Sequence, residues 1–360
     1  MPTRRSVLKG AAASAALPVA GCGGSSTMAS YTALTEEIRE PLAADADLME
    51  CVRFATLAAN SHNTQPWRFD LSANKVAILP DLARRTPAVD PDDHHLHASL
   101  GCAAENLLIA ARACGLHGAV EARADGAVAI AFDAGRPEAT DLFAAIPKRQ
   151  CTRSDYSGRA VTGSDLALLE QAAAGDGIRL VFLLEKPRIE NVLEYVLSAN
   201  TAQMDDDAFM SELKHWLRFN EAQALAARDG LFSACSGNPT LPGWLVPLVF
   251  PFAFTTSAEN DRYAAQIRSS SGIAVFISAR DDRAHWIEAG RSFQRFALKA
   301  TALGIAHAFV NQPVEVPASR SEFASWLGLG AEERPDFIVR FGYAPPLPMS
   351  LRRDVRDILV

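Results

Sequence analysis

The sequence predicts an α+β fold in which two similar halves, each a sheet flanked by helices, pair as an intrachain pseudo-dimer. Two segments carry this prediction. In each of them two glycines lie 14 residues apart, Gly101 with Gly115 and Gly290 with Gly304. Apolar residues recur between the glycines at helical spacing, and the second glycine stands where a helix would end. A two-copy repeat is too short for a solenoid, so it favours a fused dimer.

A second pair of similar segments lies upstream of these helices. Residues 47–55 resemble residues 165–173 at an offset of 118, whereas the glycine segments are offset by 189. The second copy therefore carries about 71 extra residues, which we place at about 199–270 as a lid or arm. We divide the chain into a first half, 36–145, and a second half, 146–360, that contains this insertion.

Short β-branched segments alternate irregularly with the helices. Irregular alternation favours an α+β sheet over a regular parallel one. The predicted strands are 75–79, 127–132, 179–184, 272–278 and 337–341.

The composition excludes several classes of protein. Of the 360 residues, 49% are hydrophobic and 21% are charged, as in ordinary globular proteins. The net charge of −7 argues against a nucleic-acid-binding protein. No apolar run reaches the roughly 20 residues that a transmembrane helix needs, and the nearest candidate, 241–254, is interrupted by three prolines.

The first 22 residues resemble an export signal rather than part of the fold. Arg4 and Arg5 are followed by a short, mildly apolar stretch, 10–20, and then by small residues before Cys22. This order resembles a twin-arginine signal with a lipoprotein box; the alternative is a frayed N-terminal helix. The resemblance implies lipidation of Cys22, removal of everything before it, and a periplasmic or cell-envelope location. The Gly/Ser-rich start of 23–35 is typical of a flexible linker.

Three polar clusters have the composition of a ligand site. Residues 60–67 read Asn-Ser-His-Asn-Thr-Gln-Pro-Trp and lie on a loop between a predicted helix and a strand. Arg149 and Arg153 lie four residues apart, and guanidinium groups bind phosphate oxygens with charge-assisted hydrogen bonds. Arg352 and Arg353 form a third basic group near the C-terminus.

Together these clusters resemble the FMN-dependent nitroreductase family, and more narrowly its fused, Acg-type branch, in which two nitroreductase-like halves lie in one chain. The resemblance covers about 45–353 and includes 309–313, Phe-Val-Asn-Gln-Pro. It implies a nitroreductase-like sheet in each half and FMN as the cofactor. It also implies a site between the halves, to which one half gives the phosphate-binding arginines and the other gives the Ser-x-Asn loop.

By the same resemblance, eleven residues would bind FMN. Arg149 and Arg153 would hold the phosphate or the pyrimidine edge of the flavin, and Cys151 replaces the Ser or Thr that is usual between them. Arg352 or Arg353 would complete the phosphate clamp. The residues that would contact the ring are Asn60, Ser61, Asn63, Gln65, Asn311 and Gln312.

Each motif is present only once. The first half has the loop but no Arg-x-x-x-Arg before it, since 35–49 offers only Arg39. The second half has the arginines but no counterpart of the loop after 165–174. The sequence therefore predicts one FMN per chain, formed across the two halves.

The resemblance implies an FMN-dependent oxidoreductase that reduces a planar acceptor, such as a nitroaromatic or a quinone, through flavin N5. The electron donor stays open between NAD(P)H and a donor in the cell envelope. The alternatives are a flavin-sequestering protein with a lidded site and little turnover, and an oxygen-dependent enzyme that consumes flavin. We expect membrane association through the lipid anchor alone and no nucleic-acid partner, and a homodimer is left open.

The run Asp92-Asp93-His94-His95-Leu96-His97 has two interpretations. It resembles a metal cluster, but the aspartates can equally cap the helix that follows. Because no further ligand set at characteristic spacing accompanies the run, we predict no metal site.

Overall fold

The computed structural model describes residues 24–43 and 46–360, so the predicted export signal and Cys22 lie outside the described residues. The helices are α1 (Gly24–Glu37), α2 (Leu48–Thr56), α3 (His94–Ala113), α4 (Asp141–Ala145), α5 (Gly163–Ala173), α6 (Lys186–Met204), α7 (Asp207–Trp216), α8 (Glu221–Ala227), α9 (Val246–Ala253), α10 (Thr256–Arg268), α11 (Arg283–Ala302), α12 (Gln312–Glu315) and α13 (Pro317–Leu327). The strands are β1 (Trp67–Ser72), β2 (Lys75–Pro80), β3 (Leu116–Ala122), β4 (Val128–Ala134), β5 (Ile178–Leu183), β6 (Leu217–Arg218), β7 (Leu231–Phe232), β8 (Gly272–Ser278), β9 (Ala306–Phe309) and β10 (Arg334–Gly342).

Two four-stranded antiparallel sheets share one topology. The strand order is β1-β2-β4-β3 in the first half and β5-β8-β10-β9 in the second. In each half a helix precedes the first strand, α2 or α5, and a long helix joins the second strand to the third, α3 or α11. The predicted α+β fold of two fused halves is therefore confirmed. The five predicted strands are all present, and the short β1, β3 and β9 complete the sheets.

The long helices α3 and α11 cross at the glycines that marked the repeat. A Cβ atom added at Gly101 would overlap the carbonyl oxygen of Ile287, and one added at Gly290 would overlap the carbonyl oxygen of Ala98. Ala98 and Ile287 are separated by the same 189 residues as the two glycines. The contact therefore repeats itself about a pseudo-twofold axis, as at the interface of a symmetric dimer. The largest apolar core surrounds this crossing and draws side chains from both halves.

The insertion lies between the first and second strands of the second sheet. Residues 184–271 join β5 to β8, whereas residues 73–74 join β1 to β2. The predicted start at about 199 is too late, because β5 ends at Leu183 and all of α6 belongs to the insertion. Helix α6 packs against β8 and β10 through a second apolar core, so the insertion is integrated into the second half.

Both ends of the described chain differ from the sequence prediction. Helix α1 occupies most of the predicted linker. It packs against the rest of the protein, since Tyr31 is only 1% exposed and its hydroxyl donates to the carbonyl oxygen of Met349 at 2.7 Å. The C-terminal residues leave the second half, since the amide of Val360 donates to the carbonyl oxygen of Phe69 on β1 at 3.0 Å. The assignment of all of 146–360 to the second half is therefore corrected: its last residues pack on the first half.

Helix α9 exposes a row of large apolar side chains. Trp244, just before the helix, is 74% exposed, and Leu248 and Phe252 within it are 63% and 84% exposed. None of the helices in the described part of the chain is both long and apolar enough to cross a bilayer.

Candidate functional site

Two adjoining cavities lie where the first half, the second half and the insertion meet. The larger has a volume of about 220 Å³ and the smaller about 70 Å³. Both are lined by Ala59, Asn60, Arg153, Leu231 and Ser236, so they form one continuous site. Half of the residues that line the larger cavity come from the insertion, which therefore walls the site as a lid would.

The loop between α2 and β1 forms one wall in a strained conformation. His62, Asn63 and Gln65 have φ angles of 45°, 54° and 53°, in the left-handed region that glycine favours. Each such residue costs on the order of 1–3 kcal/mol and persists only where its surroundings hold it. Here the Oδ1 atom of Asn60 accepts a hydrogen bond from the amide of Gln65 at 2.9 Å, and its Nδ2 atom donates to Ala58. These hydrogen bonds close the loop on itself.

The two central helices also position this loop. Gln294 of α11 is fully buried and accepts a hydrogen bond from the amide of Ala59 through Oε1 at 3.2 Å. Ser99 of α3 accepts a longer one, 3.4 Å, from the amide of Ser61. One helix comes from each half, so the loop is fixed by the pseudo-dimer interface itself.

Two buried arginines bind the C-terminal end of α2. An Nη atom of Arg149 donates to the carbonyl oxygen of Leu57 at 3.2 Å. Arg352 donates to Thr56 from Nε at 2.6 Å and to Ala58 from Nη2 at 3.3 Å. Cations are favoured at this end of a helix, where the carbonyl groups lack partners. The helix end thus holds both guanidinium groups beside the smaller cavity.

The smaller cavity carries uncompensated positive charge. Arg149, Arg153 and Arg352 line it, and no carboxylate of the described residues does. Burial, with the neighbouring charges of Arg39 and Arg149, holds the pKa of Arg352 well below its usual value. The buried Nε atom of Arg149 has no hydrogen-bond partner among the described residues. An unsatisfied donor in a buried positive pocket suits a phosphate group.

The larger cavity combines an aromatic wall with a few polar atoms that lack partners. Phe293, Phe309 and Phe337 line it. Gln312 is 8% exposed, and its Oε1 atom is buried without a partner in the described residues. The Nδ1 atom of His62 is also unpaired, and burial lowers the pKa of His62 to about 4, so this ring is neutral at pH 7. Such a lining is typical of a cofactor site, and the two cavities together fit a ring joined to a phosphate.

Most of the residues predicted to bind FMN line these cavities. They are Asn60, Ser61, Asn63, Arg149, Cys151, Arg153, Asn311, Gln312 and Arg352. Two of them also hold the protein together. The Oδ1 atom of Asn311 accepts from the amide of Ile338, and that of Asn63 accepts from Arg352. Their contact with a flavin stays a prediction.

Gln65 and Arg353 are not among the residues that line the two cavities, and their contact with a flavin stays a prediction. The amide of Arg353 donates to Oε1 of Gln65 at 2.8 Å, and Nε2 of Gln65 donates to the carbonyl oxygen of Arg228 at 2.9 Å. These bonds tie the strained loop to the C-terminal segment and to the insertion.

Sequence reasoning missed an ion pair on the wall of the larger cavity. Nε2 of His95 lies 3.5 Å from Oε1 of Glu315, and Gln203 donates to the other carboxylate oxygen at 2.8 Å. The pKa of His95 is raised, because Glu315 and Asp90 outweigh the effect of burial. The pKa of Glu315 is lowered, because its bond to His95 outweighs the effect of burial. The one sequence feature that could have pointed to Glu315 is its position four residues after Asn311, one helical turn from a predicted site residue.

The start of α3 is capped by two aspartates, one of them predicted. Asp92 accepts a hydrogen bond from the amide of His94, and Asp90 accepts from the amides of His95 and Leu96 at 3.0 and 2.9 Å. Asp93 makes no such bond. Asp90, His94 and His95 bring possible ligand atoms within 4.8 Å of one another. Those atoms are already engaged, because Asp90 caps the helix and the two imidazoles bond to each other at 3.1 Å. The absence of a metal site stays a prediction.

The chain is similar to two proteins of Mycobacterium tuberculosis. It is 27% identical over 330 residues to "Putative NAD(P)H nitroreductase Rv3131" of strain H37Rv, covering 88% of this chain and 92% of that protein. It is 25% identical over 328 residues to "Putative NAD(P)H nitroreductase acg", covering 86% and 94%. No protein-family model matches the chain.

Solved structures with similarity to the chain include a nitroreductase with bound FMN from Bacteroides fragilis, at 15% identity and a TM-score of 0.36. The match covers 60% of this chain and 94% of that one. Another is the FMN-dependent nitroreductase NfnB from Mycobacterium smegmatis in complex with NADPH, at 12% identity and a TM-score of 0.38, covering 57% and 87%.

Proposed function

We propose that this chain is an FMN-dependent oxidoreductase of the nitroreductase type, which passes two electrons from NAD(P)H to a small planar acceptor such as a nitroaromatic or a quinone. One observation carries the proposal: a cavity that is lined by three arginines, and by no carboxylate of the described residues, opens into an aromatic-walled cavity at the junction of two similar halves. The names of the mycobacterial relatives support the donor and the reaction class. The relative named acg, similar along both halves, also supports the fused branch.

The residues of this chain would share the binding of FMN. Arg149 and Arg352 would hold the phosphate, and Arg153, which lines both cavities, would bind between phosphate and ring. The amide of Gln312 and the hydroxyl of Ser61 would bond the ring against the aromatic wall. When bound, FMN supplies the two-electron chemistry, and the protein binds and orients it and shapes the access of other molecules.

The test is an absorbance spectrum of the full chain purified without added flavin, followed by anaerobic NADPH and then by a soluble benzoquinone. We expect about one FMN per chain, bleaching with NADPH, and return of the flavin colour with the quinone. A colourless protein that free FMN cannot load would overturn the proposal.

Flavin sequestration is the second candidate, and the insertion favours it because its side chains form half of the wall of the larger cavity. Sequestration predicts a tightly held flavin that NADPH does not bleach. It also predicts that flavin reduced by dithionite returns no electrons to the quinone at a useful rate. The same spectrum therefore separates the two candidates.

We also propose that the N-terminal residues direct export and that lipidated Cys22 anchors the chain in the cell envelope. The order of Arg4, Arg5, a short apolar stretch and Cys22 supports this. The Cys22→Ala chain should be released from membranes into the soluble fraction. If this chain still partitions with membranes, the anchor is not at Cys22.

A further inference from the structure

Helix α9 and the turn before it present a face of large apolar side chains to the outside of the protein. Trp244 lies in the turn, and Leu248 and Phe252 follow at intervals of four residues, the spacing of one side of a helix. These three side chains, the α9 face, are exposed, and none of the eight residues of α9 is buried. Residues 241–254 contain no charged side chain. An apolar patch of this kind marks a surface that contacts a membrane or another protein.

The other side of α9 is held by the rest of the insertion. The ring of Phe250 stacks on that of Phe254 with 4.9 Å between the ring centres, and the edge of Phe219 lies against it at 5.6 Å. The Nδ2 atom of Asn220 donates to the carbonyl oxygen of Leu241 at 3.1 Å. The α9 face is therefore displayed by a segment that is fixed both before and within the helix.

Helix α8 connects the α9 segment to the start of the described chain. Helix α1 packs on α8 through an apolar cluster that contains Met28, Tyr31 and Leu225. The Nε2 atom of Gln223 on α8 lies 3.8 Å from the position of a Cβ atom added at Gly243, in the turn before α9. Helix α8 thus contacts both α1 and the turn that carries the first residue of the α9 face.

We propose that the α9 face rests in the surface of the lipid bilayer to which Cys22 anchors the chain. The inference rests on the proposed anchoring and adds a second membrane contact to it. Cys22 precedes the start of α1 at Gly24 by two residues, which span at most about 7 Å. An anchor this short keeps the start of α1 close to the lipid headgroups, and the neighbouring α8 and α9 with it.

The side chains of this region suit the boundary between headgroups and acyl chains. Tryptophan is enriched at that boundary, and a short apolar helix can lie along it without spanning the bilayer. Lys214 is exposed, and its Nζ atom lies 5.7 Å from the ring centre of Phe250. A lysine beside an apolar surface can bind a lipid phosphate while its stem stays among apolar groups. The combination favours a bilayer as the partner.

This contact is weaker than a lipid anchor. Three partly inserted side chains bury less apolar surface than one myristoyl chain, and a single myristoyl chain already binds membranes only marginally and reversibly. The α9 face therefore orients an anchored chain but does not retain a chain that has lost its anchor. The Cys22→Ala chain should accordingly leave membranes during cell fractionation and bind vesicles only where lipid is in large excess.

The test is a titration of the Cys22→Ala chain with phosphatidylcholine vesicles that carry bromine on the acyl chains. Bromine quenches the fluorescence of a tryptophan that enters the acyl region, and Trp244 is exposed whereas three others are buried: Trp67, Trp216 and Trp286. We expect quenching with half-saturation on the order of 1 mM lipid. In Trp244→Phe most of the quenched emission should be lost.

A double variant tests the rest of the face. Leu248→Ser with Phe252→Ser should raise the lipid concentration at half-saturation at least about tenfold, and the fold should survive because both side chains are exposed. Leu82→Ser is the matched control, since Leu82 is an exposed leucine of the first half, and it should leave the titration unchanged.

Three results would overturn the proposal. The first is no quenching up to about 10 mM lipid, and the second is a double variant that titrates like its parent. The third is self-association of the chain that Phe252→Ser abolishes, because a second copy would then cover the face. Mass spectrometry that finds Cys22 without lipid in the wild-type chain defeats the proposed anchor alone, since the vesicle titration needs no lipid on Cys22.

Discussion

The helix pair α3 and α11 has two ends, which are related by the pseudo-twofold axis but are lined by different side chains. The open end lies beside the cavities, and the closed end lies beside α5. At one end, Ser99 and Cys102 of α3 are small, and they leave room for the larger cavity. Their counterparts on α11, 189 residues later, are Glu288 and Arg291. These two side chains bond to each other at 2.6 Å, and neither of them lines the two cavities of the site.

The difference extends to the charges at the neighbouring helix ends. The C-terminal carbonyls of α2 bind Arg149 and Arg352, which pair with no carboxylate in the part of the chain that the structure describes. The C-terminal residues of α5 bind Arg295, which is paired with Glu105 at 2.9 Å and with Glu288 at 3.1 Å. The open end therefore leaves its arginines available to bind an anion, whereas at the closed end the protein's own glutamates neutralise the arginine. This difference is the structural basis on which we propose one FMN per chain.

The helix crossing that both ends depend on should be the most sensitive position. Gly290→Ala would force a Cβ atom into the carbonyl oxygen of Ala98. We expect it to lower the free energy of unfolding by about 3 kcal/mol, at the upper end for overpacking, and to weaken FMN retention as well. Urea unfolding measures the loss. Gly163→Ala is the matched control, because no atom lies within 4 Å of the added Cβ. Equal midpoints for the two variants would contradict the close crossing.

The arginines at the open end should control FMN affinity. Arg149→Ala removes a charge-assisted donor, so we expect FMN binding to weaken by about 1.5–3 kcal/mol. A fluorescence titration of the flavin-free chain with FMN measures the change. Arg68→Ala, at an exposed position of β1, should leave the affinity as it was. Unchanged affinity in Arg149→Ala would remove Arg149 from the phosphate site.

The closed end should show the opposite pattern. Glu105→Ala breaks ion pairs with Arg291 and Arg295, both 2.9 Å long and largely buried. We expect a loss of about 2 kcal/mol in the free energy of unfolding, with FMN affinity unchanged. Asp125→Ala removes an exposed pair with Arg123 and should cost less than about 1 kcal/mol. A large drop in FMN affinity in Glu105→Ala would show that the two ends are not independent.

A buried histidine beside the open end should make the protein acid-sensitive. His307 is 1% exposed, and burial together with Arg149 lowers its pKa to about 3. The unfolded chain therefore binds more protons than the folded chain between about pH 6.5 and pH 3. The stabilisation that depends on a neutral His307 is therefore complete above pH 6.5. As the pH drops from 6.5 toward 3, the free energy of unfolding decreases by up to about 1.4 kcal/mol per pH unit. Urea unfolding at a series of pH values measures this slope of the free energy of unfolding against pH. The slope between pH 6.5 and pH 3 should be shallower in His307→Phe than in a control variant, His117→Asn. Equal slopes would exclude His307 as the cause.

Local sequence patterns predicted the duplicated architecture, whereas features that depend on contacts between distant residues could not be predicted. The glycine spacing in α3 and α11 revealed the duplication, because a helix period and its terminating glycine are local in sequence. The helix in the predicted linker was missed because the partners of Tyr31 are distant in sequence: its hydroxyl donates to Met349, 318 residues away, and its ring packs with Phe232. The pairing of Glu105 with Arg291 likewise has no local signal.

The site itself divides in the same way. Arg149 and Arg153 stand out because the two side chains are close in sequence and of the type that binds phosphate. His95 and Glu315 do not, because a histidine at a helix start and a glutamate on a short helix are ordinary until the fold brings them together. Gln65 shares its motif with residues that line the cavities, but its bond to the amide of Arg353, 288 residues away, could not be predicted from the motif.

The reciprocal glycine contact also bears on how the site responds to dilution. Two separate chains that met in this way would hold their site only above the concentration at which they dissociate. Here both sides of the contact belong to one polypeptide, so the second association is intramolecular and has a fixed effective concentration. We therefore expect the dissociation constant for FMN to be independent of the protein concentration.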